Sequence, residues 1–216
     1  FGYNVIEPYL TYMRADAAGN MLQVEAVDLT GPSMLHDFAV TGNHVVFMEM
    51  PVRFSWWQAL TGSALPFKWD DSAPCRVGVM PRTGSNADVR WFDIPPCFVF
   101  HIMNSFERGD EVIVDAARYD HLWVKNSHDF FHPARLSRFR MNLKTGSATV
   151  ERMFDGAMEF PQVNRGQWTK PYRYGYSLIV DEANDAPERI ERAQGGIRKY
   201  DLETGRNEDW ASGVNQ

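Results

Sequence analysis

The chain has 216 residues, 44% of them hydrophobic, and 28 acidic against 22 basic side chains give it a formal charge of −6. That composition describes a globular chain of one large domain or two small ones, able to bury a sizeable core. The absence of a basic run excludes a nucleic-acid backbone as the main partner, and no apolar run reaches the length of a membrane span.

In chain order, the apolar runs are short, rich in β-branched and aromatic residues and bounded by Gly, Pro, Asn and Asp, which predicts strands and hairpins. The opening "FGYNVIEPYL" carries neither a basic region followed by an apolar core nor an initiator methionine, so the chain is expected to begin inside a longer protein. "YLTYMRADAAGNMLQVEAV" reads as strand, turn at Gly19 and Asn20, and strand; "HVVFMEMP", "CRVGVMP", "VRWFDIP", "DEVIVDAARY", "SRFRMNL" and "ATVERMF" continue the habit. Helix is expected only in "SWWQALTG" and near residues 183 to 194, so the fold class is all-β. Cys75 and Cys97 form no CxxC pair and no disulfide framework, which points to a reducing cytoplasm.

Self-comparison reveals a period. "RFRMNLKTG", ending at Gly146, and "IRKYDLETG", ending at Gly205, share a strand, an Asn or Asp, a Leu and a Thr-Gly turn, with "VRWFDIPP" at 89 to 96 as a looser upstream copy. Short strands repeating at roughly 40 to 50 residues, stretched here by insertions, predict β-propeller blades. A hairpin exit that simply recurs in β proteins is the plainer alternative.

Three comparable points set an ionisable residue in an apolar stretch: His36 in "SMLHDFAVT", His101 in "FVFHIMNSFE" and Glu159 in "GAMEFPQVN", separated by 65 and 58 residues. Taken singly, such a histidine is more often a hydrogen-bonded core residue than a ligand. In a propeller, however, equivalent inner strands point at one axis, and imidazoles meeting there suit Fe, Zn or Cu. A carboxylate in the same ring would orient a ligating histidine by accepting its second ring N–H. His128 and His132, in "HDFFHP", lack the intervening glutamate of a metalloprotease helix and read as an exposed loop; His44 and His121 read as solvated.

At these residues the chain resembles the carotenoid cleavage oxygenases, which include apocarotenoid and stilbene dioxygenases and the retinoid isomerase of the visual cycle. "MLHDFAVTGNHVVFMEMPVRF", "RVGVMPR", "FHIMNSFE" and "EFPQVN" occur in the family's order and at similar separations, and the likeness covers nearly the whole chain. The resemblance implies a seven-bladed β-propeller with one Fe(2+) held on the axis by four histidines, three of them oriented by glutamates. By position, His36 resembles the second ligand, His101 the third, and Glu159 one of the orienting carboxylates, with Glu107 a weaker candidate for the same role. The first and fourth histidine blocks are missing, so residues 1–216 are expected to be the central portion of a single propeller domain, about three to four blades, inactive alone. Its unpaired strand edges would invite aggregation.

What the resemblance implies for function is oxidative cleavage by O2 of a conjugated C=C bond in a carotenoid or apocarotenoid, giving two carbonyl products. An apolar polyene needs an apolar tunnel, for which Phe38, Phe98, Phe100 and Phe160 are candidate lining residues, plain core packing being the alternative for each. "FSWWQALTGSALPFKW" is dense in aromatics, with Trp56, Trp57 and Leu60 candidates for a tunnel mouth that dips into a membrane surface; packing on the propeller flank would equally explain it. The expected location is therefore cytoplasmic with peripheral association at the membrane. Cleavage of a stilbene-like phenolic is an alternative within the enzyme class, and a metal-free β-propeller binding module is the alternative outside it.

Overall fold

A computed structural model describes residues 1–125, 133–180 and 196–211. Sixteen strands and one short helix follow each other as β1 (Gly2–Tyr3), β2 (Leu10–Ala15), β3 (Met21–Val27), β4 (Ala39–Val40), β5 (His44–Glu49), β6 (Val52–Phe54), α1 (Trp56–Leu60), β7 (Phe67–Trp69), β8 (Arg76–Pro81), β9 (Arg90–Asp93), β10 (Phe98–Arg108), β11 (Glu111–Tyr119), β12 (Arg135–Asn142), β13 (Ala148–Gln162), β14 (Tyr174–Ile179), β15 (Gly196–Asp201) and β16 (Arg206–Ala211). All named pairings are antiparallel, in sheets ordered β1-β2-β3, β4-β5-β8-β9, β6-β7 and β10-β11-β12-β13-β14-β15-β16. The helix expected near residues 183 to 194 and the pair His128 and His132 lie outside the described residues.

The repeat seen in the sequence is a repeated turn. In the β12–β13 and β15–β16 hairpins, Gly146 and Gly205 take φ of 76° and 68°, a left-handed conformation that costs glycine little. Their N–H groups bond back to the carbonyls of Asn142 and Asp201, both at 2.9 Å. The Asn142 and Asp201 side chains in turn accept from the next turn amides. The looser copy differs: Asp93 ends β9 and leads into Pro95 and Pro96, which have no amide to close such a turn.

The core has two parts, a large cluster that runs from β4 through β13 and a smaller one of Leu10, Tyr12, Val27, Leu35, Val45, Phe47 and Met80. In β11, Val112, Ile113, Val114, Ala116 and Ala117 are all wholly buried, as expected of a strand covered on both faces. Each of the valine and isoleucine side chains contributes about 1.5–3 kcal/mol by leaving water. The one charge in that run, Asp115, accepts from Arg138 Nε and Nη2 at 2.7 and 2.8 Å and from the Tyr172 hydroxyl at 2.6 Å. Removing Arg138 would strand that carboxylate in the core, at about 3–5 kcal/mol.

Two strands break their register where it matters for the site. In β10 the pairing with β11 slips between Val99 and Ile102, the interval that holds His101, and again between Ile102 and Asn104, so that Ile102 alone between the slips faces Ala116. In β13 the pairing with β14 slips between Glu159 and Gln162, where Phe160 adopts φ of 52° and Pro161 has no N–H to give the ladder. Bulges of this kind turn a side chain out of the regular alternation.

Candidate metal centre

The two bulges face each other. His101 Nδ1 contacts Glu159 Oε2 at 2.7 Å, and the second carboxylate oxygen accepts the Tyr119 hydroxyl at 2.6 Å. The Phe160 amide adds a third donor, to Glu159 Oε2 at 2.7 Å, made possible by the local left-handed backbone. The hydrogen bond that His101 donates to Glu159 raises the His101 pKa above its ordinary 6.5, against the desolvation that favours the neutral ring. Burial, reinforced by the Glu159 charge, pushes the Tyr119 phenol well above its usual range and keeps it a donor. With Nδ1 committed to the carboxylate, His101 has only Nε2 to offer a ligand.

His36 arrives from outside the strands. It sits in the stretch 34–38, which belongs to no strand, and its exposed ring stands edge-on to His101, with centroids 5.0 Å apart and planes at 84°. The structure therefore brings together His36, His101 and Glu159. Glu107 is elsewhere: its carboxylate meets His44 Nδ1 at 3.0 Å, the Asn43 amide at 2.9 Å, Asn43 Nδ2 at 2.7 Å and the Thr41 hydroxyl. It closes the turn between β4 and β5 and orients neither His36 nor His101, which corrects the weaker assignment. Burial opposes its ionisation, but those donors hold its pKa down at about 2. The reading of His44 as solvated is corrected too, since it is half-buried with this partner, whereas His121 is exposed as expected, its ring centroid 5.0 Å from that of Trp69.

The four candidate lining phenylalanines divide. Phe100 meets the His36 ring edge-on at 5.3 Å, and Phe160, 56% exposed, lies over His101 at 4.6 Å. Phe98 is buried behind Phe100 at 4.7 Å, and Phe38 turns to Phe1 and Phe47, so both pack in the core instead of facing the imidazoles. Residues 56–60 do form a helix, started by the Ser55 hydroxyl accepting from the Gln58 amide. Trp56, Trp57 and Leu60 on it are 59%, 75% and 82% exposed. Sequence reasoning missed Tyr119 and the contact of Glu107 with His44; Pro161 inside an apolar run was the available sign of the bulge in β13.

Among the described residues no group of three or more His, Cys, Asp or Glu side chains is arranged to hold a metal ion. The donor set present nonetheless suits one: two imidazoles meet, one of them with its far nitrogen fixed by a carboxylate, the usual arrangement behind a histidine ligand.

The retinal pigment epithelial membrane protein family model matches residues 1–216, the whole length of the chain. The chain belongs to the carotenoid cleavage oxygenase family. Among curated members of the family, a carotenoid 9,10(9',10')-cleavage dioxygenase of Crocus sativus is 33% identical over 210 residues, covering 94% of this chain and 37% of that protein. A carotenoid cleavage oxygenase of Mycobacterium tuberculosis is 31% identical over 207 residues, covering 76% of this chain and 41% of its own. Among solved structures, lignostilbene dioxygenase of Pseudomonas brassicacearum superposes with a TM-score of 0.79 at 25% identity, over 94% of this chain and 45% of that one. Cobalt-substituted Synechocystis apocarotenoid oxygenase gives a TM-score of 0.79 at 25% identity, over 94% and 43%. The chain thus spans less than half the length of these relatives, and its strands follow the family's propeller-type architecture.

Proposed function

We propose that the whole protein is a non-haem iron(II)-dependent dioxygenase that cleaves a conjugated C=C bond of a carotenoid or apocarotenoid with O2, each new carbonyl taking one oxygen atom. The observation that carries this reading is the His36–His101 pair with Glu159 on the inner nitrogen of His101. His36 and His101 would hold Fe(2+) together with ligands outside this chain, on the axis of a seven-bladed propeller to which these residues contribute three to four blades. Iron, when bound, supplies the redox chemistry that brings O2 into reaction with the alkene. Glu159 keeps the Nδ1 proton in place, so the lone pair of Nε2 is presented without a tautomer change. Tyr119 and the Phe160 amide hold that carboxylate still. Phe100, edge-on to His36, and Phe160, over His101, would give a polyene apolar surface to lie against. Purifying the full-length protein without oxygen should return about one iron per chain, and adding an apocarotenoid with O2 should give two carbonyl products; an iron-free protein that binds but does not cleave would mark a binding module instead.

A stilbene-like phenolic is the second substrate class, favoured by the likeness to the lignostilbene dioxygenase. Comparing cleavage of a hydroxystilbene and an apocarotenoid separates the two. We further propose that α1 rests on a membrane surface: two tryptophans and a leucine exposed on one turn, with Lys68 exposed on nearby β7, suit the headgroup level. The unlinked thiols of Cys75 and Cys97, 3.9 Å apart, are consistent with work from a reducing cytoplasm. Serine at Trp56 and Trp57 should reduce liposome binding while cleavage of a short soluble substrate survives; equal loss of both would return the segment to a packing role.

A further inference from the structure

His101 lies in β10 and His36 in no strand, so something must set their spacing, and ladder pairing is not what does it. Residues 34–38 belong to no strand. Instead the segment runs alongside β10, joined to it by side chains: Asp37 Oδ2 accepts from the Ile102 amide at 3.0 Å, the Val40 carbonyl from the Ser105 hydroxyl at 2.7 Å, and Glu107 from the Asn43 amide at 2.9 Å. The first two contacts join residues 65 apart, which is also the separation of His36 and His101. Asp37 is the contact next to both imidazoles, one residue after His36 and bonded one residue after His101.

The bulges explain why an aspartate is needed there. They leave Phe100, His101 and Met103 without a partner in β11, with Ile102 alone between them opposite Ala116, and the half-buried Ile102 N–H takes its acceptor from outside β11. Asp37 Oδ2 supplies it from the neighbouring segment. Its other oxygen, Oδ1, accepts from the Phe38 amide at 2.8 Å and so ties the backbone just after His36. One carboxylate therefore uses both oxygens, one for each histidine's backbone. We propose that Asp37 is a positioning residue that sets the separation and angle of the His36 and His101 rings, and hence the affinity and geometry of the metal centre; this rests on the metal-binding reading above.

The test uses the full-length protein stripped of metal and titrated with cobalt(II) alone, as wild type, Asp37→Asn and Asp37→Ala. Affinity and the visible cobalt absorption are read together, beside the thermal unfolding midpoint of the metal-free protein. Asparagine keeps one acceptor oxygen and alanine neither. We expect Asp37→Ala to lower cobalt affinity about tenfold, by analogy with the loss of outer hydrogen-bond partners at metal sites, and to change the absorption band. Asp37→Asn should fall between it and wild type. Wild type that takes up no cobalt would overturn the metal-centre reading and this proposal with it. If wild type binds and both variants bind equally well with the same absorption, the centre stands and the role of Asp37 is refuted. An affinity that drops only in proportion to unfolded protein, with an unchanged band, makes Asp37 a fold-stabilising residue and also refutes it. Should Asp37→Ala fail to fold, Asp37→Asn is judged by the same criteria.

Discussion

His101 with Glu159 and His44 with Glu107 are both contacts from an imidazole Nδ1 to a carboxylate, at 2.7 and 3.0 Å, and both join strands far apart in sequence. Their side chains are similarly sheltered, at 28% and 12% exposed for the first pair and 20% and 23% for the second. The surroundings separate them. Glu107 spends its oxygens on a turn, taking Thr41 and Asn43 as well as His44. Glu159 takes a buried phenol and an amide in a strained bulge, and the ring it holds faces a second imidazole 5.0 Å away. A histidine–carboxylate couple is thus common structural material; the second ring, and the bulge that aims the first, make one of the two a candidate ligand site.

Five substitutions probe that contrast, the first two as a pair and the rest ordered by their expected effect on iron. His101→Ala should abolish iron retention in the full-length protein, and His44→Ala should leave it intact; loss from both would erase the distinction. Glu159→Gln should weaken iron binding or turnover by about 10- to 100-fold, read by metal analysis after dialysis against a chelator. Tyr119→Phe removes one donor to the Glu159 carboxylate and leaves a buried oxygen short of a partner, about 1–3 kcal/mol in stability. Its iron affinity should fall by less than in Glu159→Gln, and an equal fall would make the phenol as important as the carboxylate.

Glu107→Gln comes last, because it should leave iron content unchanged while lowering stability by about 1–3 kcal/mol, measured as a urea midpoint. It also has a pH signature. A carboxyl whose pKa falls from an ordinary 4.5 to about 2 on folding contributes stability that is complete above 4.5 and is lost as pH drops toward 2. The wild-type advantage over Glu107→Gln should shrink across that interval, and a constant gap would deny that the ionised carboxylate does the stabilising.

The contrast also shows what the sequence could and could not reveal. The all-β class, the hairpins at Gly146 and Gly205, and the candidates His36, His101 and Glu159 were legible because strand alternation, turn chemistry and motif spacing are local or periodic. His44 was misread for the same reason: "TGNH" looks like a solvated turn, and its partner Glu107 lies 63 residues away with nothing in the spacing to announce it. Tyr119 closes an ordinary apolar strand, and only the tertiary approach of β13 gives its hydroxyl an acceptor. Phe38 and Phe98 were grouped with Phe100 and Phe160 because each flanks a site residue in sequence. Sequence neighbourhood does not set ring direction: Phe38 lies in no strand, and Phe160 sits at the left-handed residue of the bulge in β13.

β13 has fifteen residues and pairs with β12 through its first part and with β14 through its last. It is therefore common property of two sheet regions that would otherwise be exchangeable modules. For recombination between relatives, this dictates where a crossover is tolerable. A junction in the Leu143–Ser147 turn keeps the strand, its bulge and Glu159 from one parent. A junction within 148–162 makes a single strand obey two parental registers at once, and the misfit would fall on the carboxylate that holds His101.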